Sequence, residues 1–175
     1  MAGQSLPVYS SVIYSTVAQK VLLGAKESAL NDADQLITMA LSHALSYFNG
    51  EIGMADLIPV PSRKSATRKR GRDFLLTQTH LLTSSSNVRV QPVLSHRRKV
   101  VDQTRLTAVE REENLNGAFT CAKRAGLENI PVIIIDDLMT SGATLREAAR
   151  ALLDAGFRPL GAVTACVAQP LRYTQ

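Results

Sequence analysis

Residues 132 to 144, VIIIDDLMTSGAT, constrain the fold of this chain more than any other stretch. Val132 to Ile135 are consecutive β-branched residues, too short a run for a helix and apolar on both faces. Such a run predicts a strand buried on both sides, as in a parallel sheet. Asp136 and Asp137 stand at its carboxyl end, where open α/β sheets bind their ligands. A hydroxyl-rich turn follows: Thr140, Ser141, Gly142, Ala143, Thr144. A helix then begins, with Leu145, Ala148, Ala149, Leu152 and Leu153 on one face and Gly156 just past its end. Strand, acidic pair, turn and helix start together describe a cradle for a phosphorylated sugar.

Each part of that cradle has its own physical reason. A helix N-terminus offers unpaired backbone N–H groups and partial positive charge, which favour a phosphate. Gly142 lets the backbone approach the anion, and the hydroxyls of Thr140, Ser141 and Thr144 can donate to it. Ionised carboxylates suit ribose hydroxyls and the waters of Mg²⁺, an ion held by few carboxylates plus substrate phosphates. They repel a bare phosphate, so Asp136 and Asp137 belong beside the sugar. An apolar strand ending in two acids also fits a Walker B element, but the chain contains no G-x-x-x-x-G-K-S/T loop. It contains no G-x-G-x-x-G dinucleotide fingerprint either.

The pattern of apolar residues, two acids, two apolar residues and T-S-G-A-T resembles the 5-phosphoribosyl-1-pyrophosphate (PRPP) motif of type I phosphoribosyltransferases. Further segments resemble the ComF/GntX-type competence-protein family. These are Pro59-Val60-Pro61 before the R-x-R-G element ending at Gly71, then Gln103, Thr104 and Leu106, then Arg111, Asn114, Gly117, Ala118 and Phe119. Tyr14 and the pair Lys26-Glu27 fit more loosely, so the resemblance spans roughly residues 9 to 168. There are departures. The four-cysteine zinc ribbon of many members has no counterpart here, and Arg72-Asp73 replaces the usual Phe-Asn. Thr140 stands where purine-salvage relatives often carry an acid.

Composition fits one soluble domain over residues 1–175, long enough to bury about two-thirds of its unfolded surface. Cys121 and Cys166 lack metal-site spacing and suggest a reducing compartment. The first charged residue is Lys20, so no basic leader precedes an apolar core, and no apolar run reaches membrane-spanning length. A cytoplasmic protein without membrane insertion is expected. The net charge of +5 is concentrated in two runs. Arg63, Lys64, Arg68, Lys69, Arg70 and Arg72 form the denser one; Arg97, Arg98, Lys99, Arg105 and Arg111 form the looser one. Such runs attract phosphates or nucleic acid, or simply form a solvated face. Aromatic content of 5% offers little for single-strand stacking. His43, His80 and His96 have no spaced partners and read as structural or surface residues, and Met39, Met54 and Met139 as packing.

The periodicities predict helices over 8–28, 32–48 and 72–83, and strands over 57–61, 88–94 and 160–168. The basic segment after residue 61 and residues 95–106 read as loops, with a short helix from Val109 to Leu115 and a loosely held tail from Pro170. The expected fold is α/β: a type I phosphoribosyltransferase-like parallel sheet flanked by helices, with an N-terminal helical segment.

The resemblance implies transfer of phosphoribose from Mg²⁺-PRPP, or a related phosphosugar, to an acceptor. Asp136 and Asp137 would orient the ribose and hold Mg²⁺ indirectly, and Thr140, Ser141, Gly142, Ala143 and Thr144 would hold the 5-phosphate. Ser62 and Arg63 are candidates for the pyrophosphate, by position after Pro59-Val60-Pro61, and Arg98, Gln103 and Arg105 for a flap over the site. Lys26 is singled out by resemblance alone. The same resemblance implies an alternative: a non-catalytic, competence-associated protein that senses PRPP or acts in uptake of single-stranded DNA with the competence machinery.

Overall fold

The aliphatic run is the centre of the sheet. In the computed structural model, residues 6–28, 30–48, 50, 54–83, 88–98, 114–122 and 129–168 are described. Strand β5, Pro131–Met139, buries Val132 to Ile135 completely, which is why no polar alternation occurs there. It pairs in parallel with β2, Asp56–Pro59, on one side and with β6, Arg158–Val167, on the other. The outermost strand is β1, Val8–Ile13, parallel to β6, giving the order β1-β6-β5-β2. Parallel neighbours need crossovers. Helix α5, Ala143–Asp154, supplies the one between β5 and β6, and buries Leu145, Ala148, Ala151 and Leu152.

Helices α1, Thr16–Ser28, and α2, Asn31–Leu45, follow β1, with Leu22, Ala25, Ile37, Leu41 and Ala44 facing the core. Helix α3, Lys64–Arg70, and helix α4, Phe74–Thr83, come after β2. A separate antiparallel ribbon joins β3, Leu94–His96, to β4, Phe119–Cys121. The expected parallel sheet flanked by helices is therefore present. Among the described residues, no helix is long and apolar enough to cross a membrane.

Three segments differ from the sequence-based expectation. Residues 8–13 are a strand rather than the start of a helix; the sequence VYSSVI is rich in β-branched residues, and pairing with β6 decides the matter. The basic segment is a helix, not a loop. It ends where Gly71 takes a left-handed conformation, φ 70°, that stops helices at low cost. The strand expected over 88–94 is reduced to a single bridge from Val90 to Leu57, and pairing resumes only at Leu94. Arg105, Arg111, Gln103, Thr104 and Leu106, and most of the helix expected over 109–115, lie outside the described residues.

Candidate functional site

A cleft of about 510 Å³ opens where the strands end in their carboxyl direction. Asp136, Asp137 and Leu138 of β5, then Thr140 and Thr144, form one side. Val60 to Arg63, after β2, form another. Lys26 of α1, Arg70 of α3, Phe74 of α4, and His96 and Phe119 of the ribbon complete the wall.

The acidic pair is buried: Asp136 is 6% and Asp137 7% exposed. Strand β5 continues past both to Met139, so rigid backbone holds them. The Asp137 amide donates to Asp136 Oδ1 at 2.9 Å. Burial, then the neighbouring Asp137 charge, pushes the Asp136 carboxyl well above the usual carboxylate range. Lys26 Nζ forms an ion pair with Asp137 Oδ2. That ammonium is the partner of Oδ2, which is otherwise buried.

The turn after β5 has the expected chemistry. Gly142 adopts φ 75° at the start of α5 and offers no side-chain cap, while the Ala143 amide donates to Ser141 Oγ at 3.5 Å. Thr140 and Thr144 line the cleft, whereas Ser141, Gly142 and Ala143 of the same turn are not part of its wall. Arg146, a residue the sequence did not single out, adds positive charge there: its Nη1 donates to the Ser141 carbonyl at 3.0 Å.

The basic segment divides its charges. Arg63 and Arg70 line the cleft, while Lys64, Arg68 and Lys69 face solvent. Arg70 Nε donates to Glu27 Oε1 at 3.1 Å, and Lys69 Nζ to Glu27 Oε2 at 3.0 Å; these hydrogen bonds, Lys69's first, hold the Glu27 carboxyl below its ordinary value. Ser62 Oγ donates to Asp73 Oδ1 at 2.9 Å, and the same oxygen accepts the Leu76 amide of α4 at 3.3 Å. Asp73 thus starts α4 and orients Ser62 at once. Arg72 points away from the cleft. It reaches both oxygens of Asp34, at 2.7 and 2.9 Å, and the Ala25 carbonyl, tying α1 and α2 to the approach to α4.

Arg98 does not line the cleft. Its Nη2 donates to the carbonyls of Asn114 at 2.9 Å and Asn116 at 3.1 Å, bracing the ribbon. His96, read from the sequence as structural or surface, is instead part of the cleft wall. Its Nε2 donates to the Pro61 carbonyl at 3.0 Å, and its ring meets Phe119 edge to face at 5.1 Å. Nδ1 is buried without a partner among the described residues. Burial first, then the charge of Arg63, lowers the imidazole pKa, favouring the neutral form with its proton on Nε2. Phe74, Phe119 and His96 were not identifiable as site residues from the sequence, because neither spacing nor residue type connects them; only the fold brings them together.

No family model matches the sequence, and no curated protein matches it. Among solved structures, the chain is similar to a hypoxanthine phosphoribosyltransferase from Staphylococcus aureus, at 17% identity and TM-score 0.44, covering 81% of this chain and 68% of that one. It is also similar to an adenine phosphoribosyltransferase from Leishmania tarentolae, at 9% identity and TM-score 0.46, covering 82% and 74%. Likenesses this loose carry no argument about function, which has to be read from the residues of the cleft.

Proposed function

We propose that this chain binds Mg²⁺-complexed PRPP and transfers its phosphoribosyl group to an acceptor, residues 1–175 forming one type I phosphoribosyltransferase-like domain of the ComF/GntX type. The observation that carries this reading is the meeting of opposite charges in one cleft. Buried Asp136 and Asp137 adjoin the uncapped start of α5, while Lys26, Arg63 and Arg70 line the same space. A ligand with a neutral polyol between two anionic ends matches that pattern.

In the proposed step, the acceptor bonds to ribose C1 and gives up a proton. The bond from C1 to pyrophosphate oxygen breaks, and pyrophosphate leaves with the electron pair. Asp136 and Asp137 orient the ribose hydroxyls, and Thr140 to Thr144 with the amides of α5 hold the 5-phosphate. Arg63, beside Ser62, stabilises charge gathering on the pyrophosphate. Among the described residues there is no group of three or more metal-ligating side chains. An ion that arrives on its ligand needs only one or two protein carboxylates, and Asp136 and Asp137 on the cleft wall fit that contact. Bound Mg²⁺ would supply further neutralisation of the leaving group. The ribose role of Asp137 is tested by Asp137→Asn, expected to weaken Mg²⁺-PRPP binding at least about tenfold in calorimetry while the melting curve stays cooperative. Unchanged affinity would remove that role. Pyrophosphate release measured in the same samples against a panel of nucleobases identifies an acceptor.

The solvent-facing Lys64, Arg68 and Lys69 support a second reading, a surface for single-stranded DNA used in competence. Binding of an oligonucleotide with a steep salt dependence, undisturbed by PRPP, would favour it.

A further inference from the structure

Lys26 differs from the arginines of the cleft in what it touches. Its ammonium pairs with Asp137 Oδ2 while its side chain is only 25% exposed. On another side, Nζ lies 5.8 Å from the Phe74 ring centroid. The backbone beneath it is fixed, because Arg72, itself held by Asp34, hydrogen-bonds the preceding Ala25 carbonyl. A lysine head on a flexible four-carbon stem can move while that backbone stays still. The contact it would leave is its ion pair with Oδ2, a buried carboxylate oxygen.

We propose that Lys26 is a ligand-exchange residue: it covers Asp137 in the empty cleft, and a divalent cation bound to a ribose pyrophosphate displaces it onto the pyrophosphate oxygens. The proposal rests on the reading of the cleft given above, and adds a reason for selectivity. A metal ion alone would have to drive Lys26 off Asp137 and strand an ammonium in a half-buried place. An anion alone would meet the carboxylates with Lys26 already engaged. A ligand that brings a cation, hydroxyls and an anion together leaves every charge compensated before and after the exchange. Lys26 would therefore set the cleft against free Mg²⁺ and free pyrophosphate, and in favour of the complete ligand.

The test is Lys26→Met, which keeps the stem and removes the charge, with Lys26→Gln as a second variant should the first melt early. Mn²⁺ alone, Mg²⁺-pyrophosphate and Mg²⁺-PRPP are titrated separately by calorimetry. The expected result is a pair of opposite changes: Mn²⁺ alone binds roughly tenfold tighter, within what one charge a few ångströms away supplies near a protein surface, while Mg²⁺-PRPP binds roughly tenfold weaker. Adding Asp137→Asn to the variant should abolish the gain for Mn²⁺. If Mn²⁺ affinity is unchanged or falls, Lys26 is a fixed partner or a plain ligand contact, and the exchange is overturned. If the unaltered protein binds no Mg²⁺-PRPP, the proposed function fails, and the Mn²⁺ and Mg²⁺-pyrophosphate titrations still decide whether Lys26 makes the exchange.

Discussion

Asp136 is held where its charge is poorly tolerated. It is buried beside Asp137 in the last part of β5, and its carboxyl pKa is raised well above the usual range, by burial first and by Asp137 second. A carboxyl whose folded pKa is raised binds more protons folded than unfolded, so stability falls as pH climbs from the ordinary carboxylate value to the raised one. The empty protein at neutral pH therefore bears this penalty throughout. Asp136→Asn keeps an oxygen to accept the Asp137 amide and removes the ionisable group. It should stabilise the ligand-free protein by roughly 1 kcal/mol, as commonly follows when a strained functional site is relaxed, and should flatten the decline in stability as pH rises above the ordinary carboxylate range. Binding of Mg²⁺-PRPP should be lost in parallel. Denaturant midpoints at several pH values check the first expectation. A variant less stable than the parent at neutral pH would mean that Asp136 is a structural acceptor rather than a strained functional group.

Among the elements, the β3–β4 ribbon shows how the His96 and Phe119 wall of the cleft is fixed. Glu147 of α5, 5% exposed, accepts the Phe119 amide at 2.9 Å and the Arg150 Nη2 at 2.7 Å, and Arg150 returns a hydrogen bond to the Phe119 carbonyl at 3.0 Å. One backbone residue of β4 is thus clamped on both sides to α5, the helix that follows the turn after β5. Burial raises the Glu147 pKa, but hydrogen bonds from Arg150 and the Phe119 amide outweigh it and leave the carboxyl below its ordinary value. A depressed carboxyl contributes stability above its unfolded pKa and loses it as pH falls through the folded one. Glu147→Gln should lower stability by about 1–2 kcal/mol at pH 7, a figure kept modest because Arg150 is partly solvated. The gap should narrow below about pH 4, towards the end of the carboxylate titration range. A gap independent of pH would assign the effect to packing rather than charge. These elements also show what local sequence can and cannot reveal. Strand β5, the hydroxyl-rich turn and α5 were legible because one contiguous stretch carries their burial pattern, turn residues and helix start. Strand β1 was not, since VYSSVI carries little pattern and is defined by its pairing with β6. Helix α3 was hidden because its basic residues bury none of its own side chains. His96, Phe74 and Phe119 escaped because they reach the cleft from separate elements, and Lys26 was found through family resemblance rather than any local signal.

At the scale of the molecule, the cleft depends on how the first strand seats the first helix. Strand β1 lies along β6 with Val8 opposite Ala162, the Pro7 carbonyl accepts the Ala162 amide at 2.9 Å, and the Tyr14 amide donates to the Val167 carbonyl at 2.8 Å. That register sets where α1 starts, and so where Lys26 arrives over Asp137. The seat itself is made by an absent side chain. A Cβ on Gly161 would lie 2.7 Å from the Pro7 carbonyl oxygen and would run into the Phe48 ring, which packs edge to face on Tyr9 with centroids 5.1 Å apart. Backbone cannot yield there without loosening β1 from the sheet, and the ring cannot yield without disturbing Tyr9. Gly161→Ala should therefore destabilise the protein by about 1–3 kcal/mol, the range for overfilling a packed interior. It should also weaken Mg²⁺-PRPP binding in the fraction that remains folded, although residue 161 is not part of the cleft wall. Melting curves and calorimetry on the same preparation separate the two effects. A large loss of stability with full affinity would mean that α1 keeps its place without the β1–β6 register, and that the first strand is a brace for the sheet rather than the seat of the site.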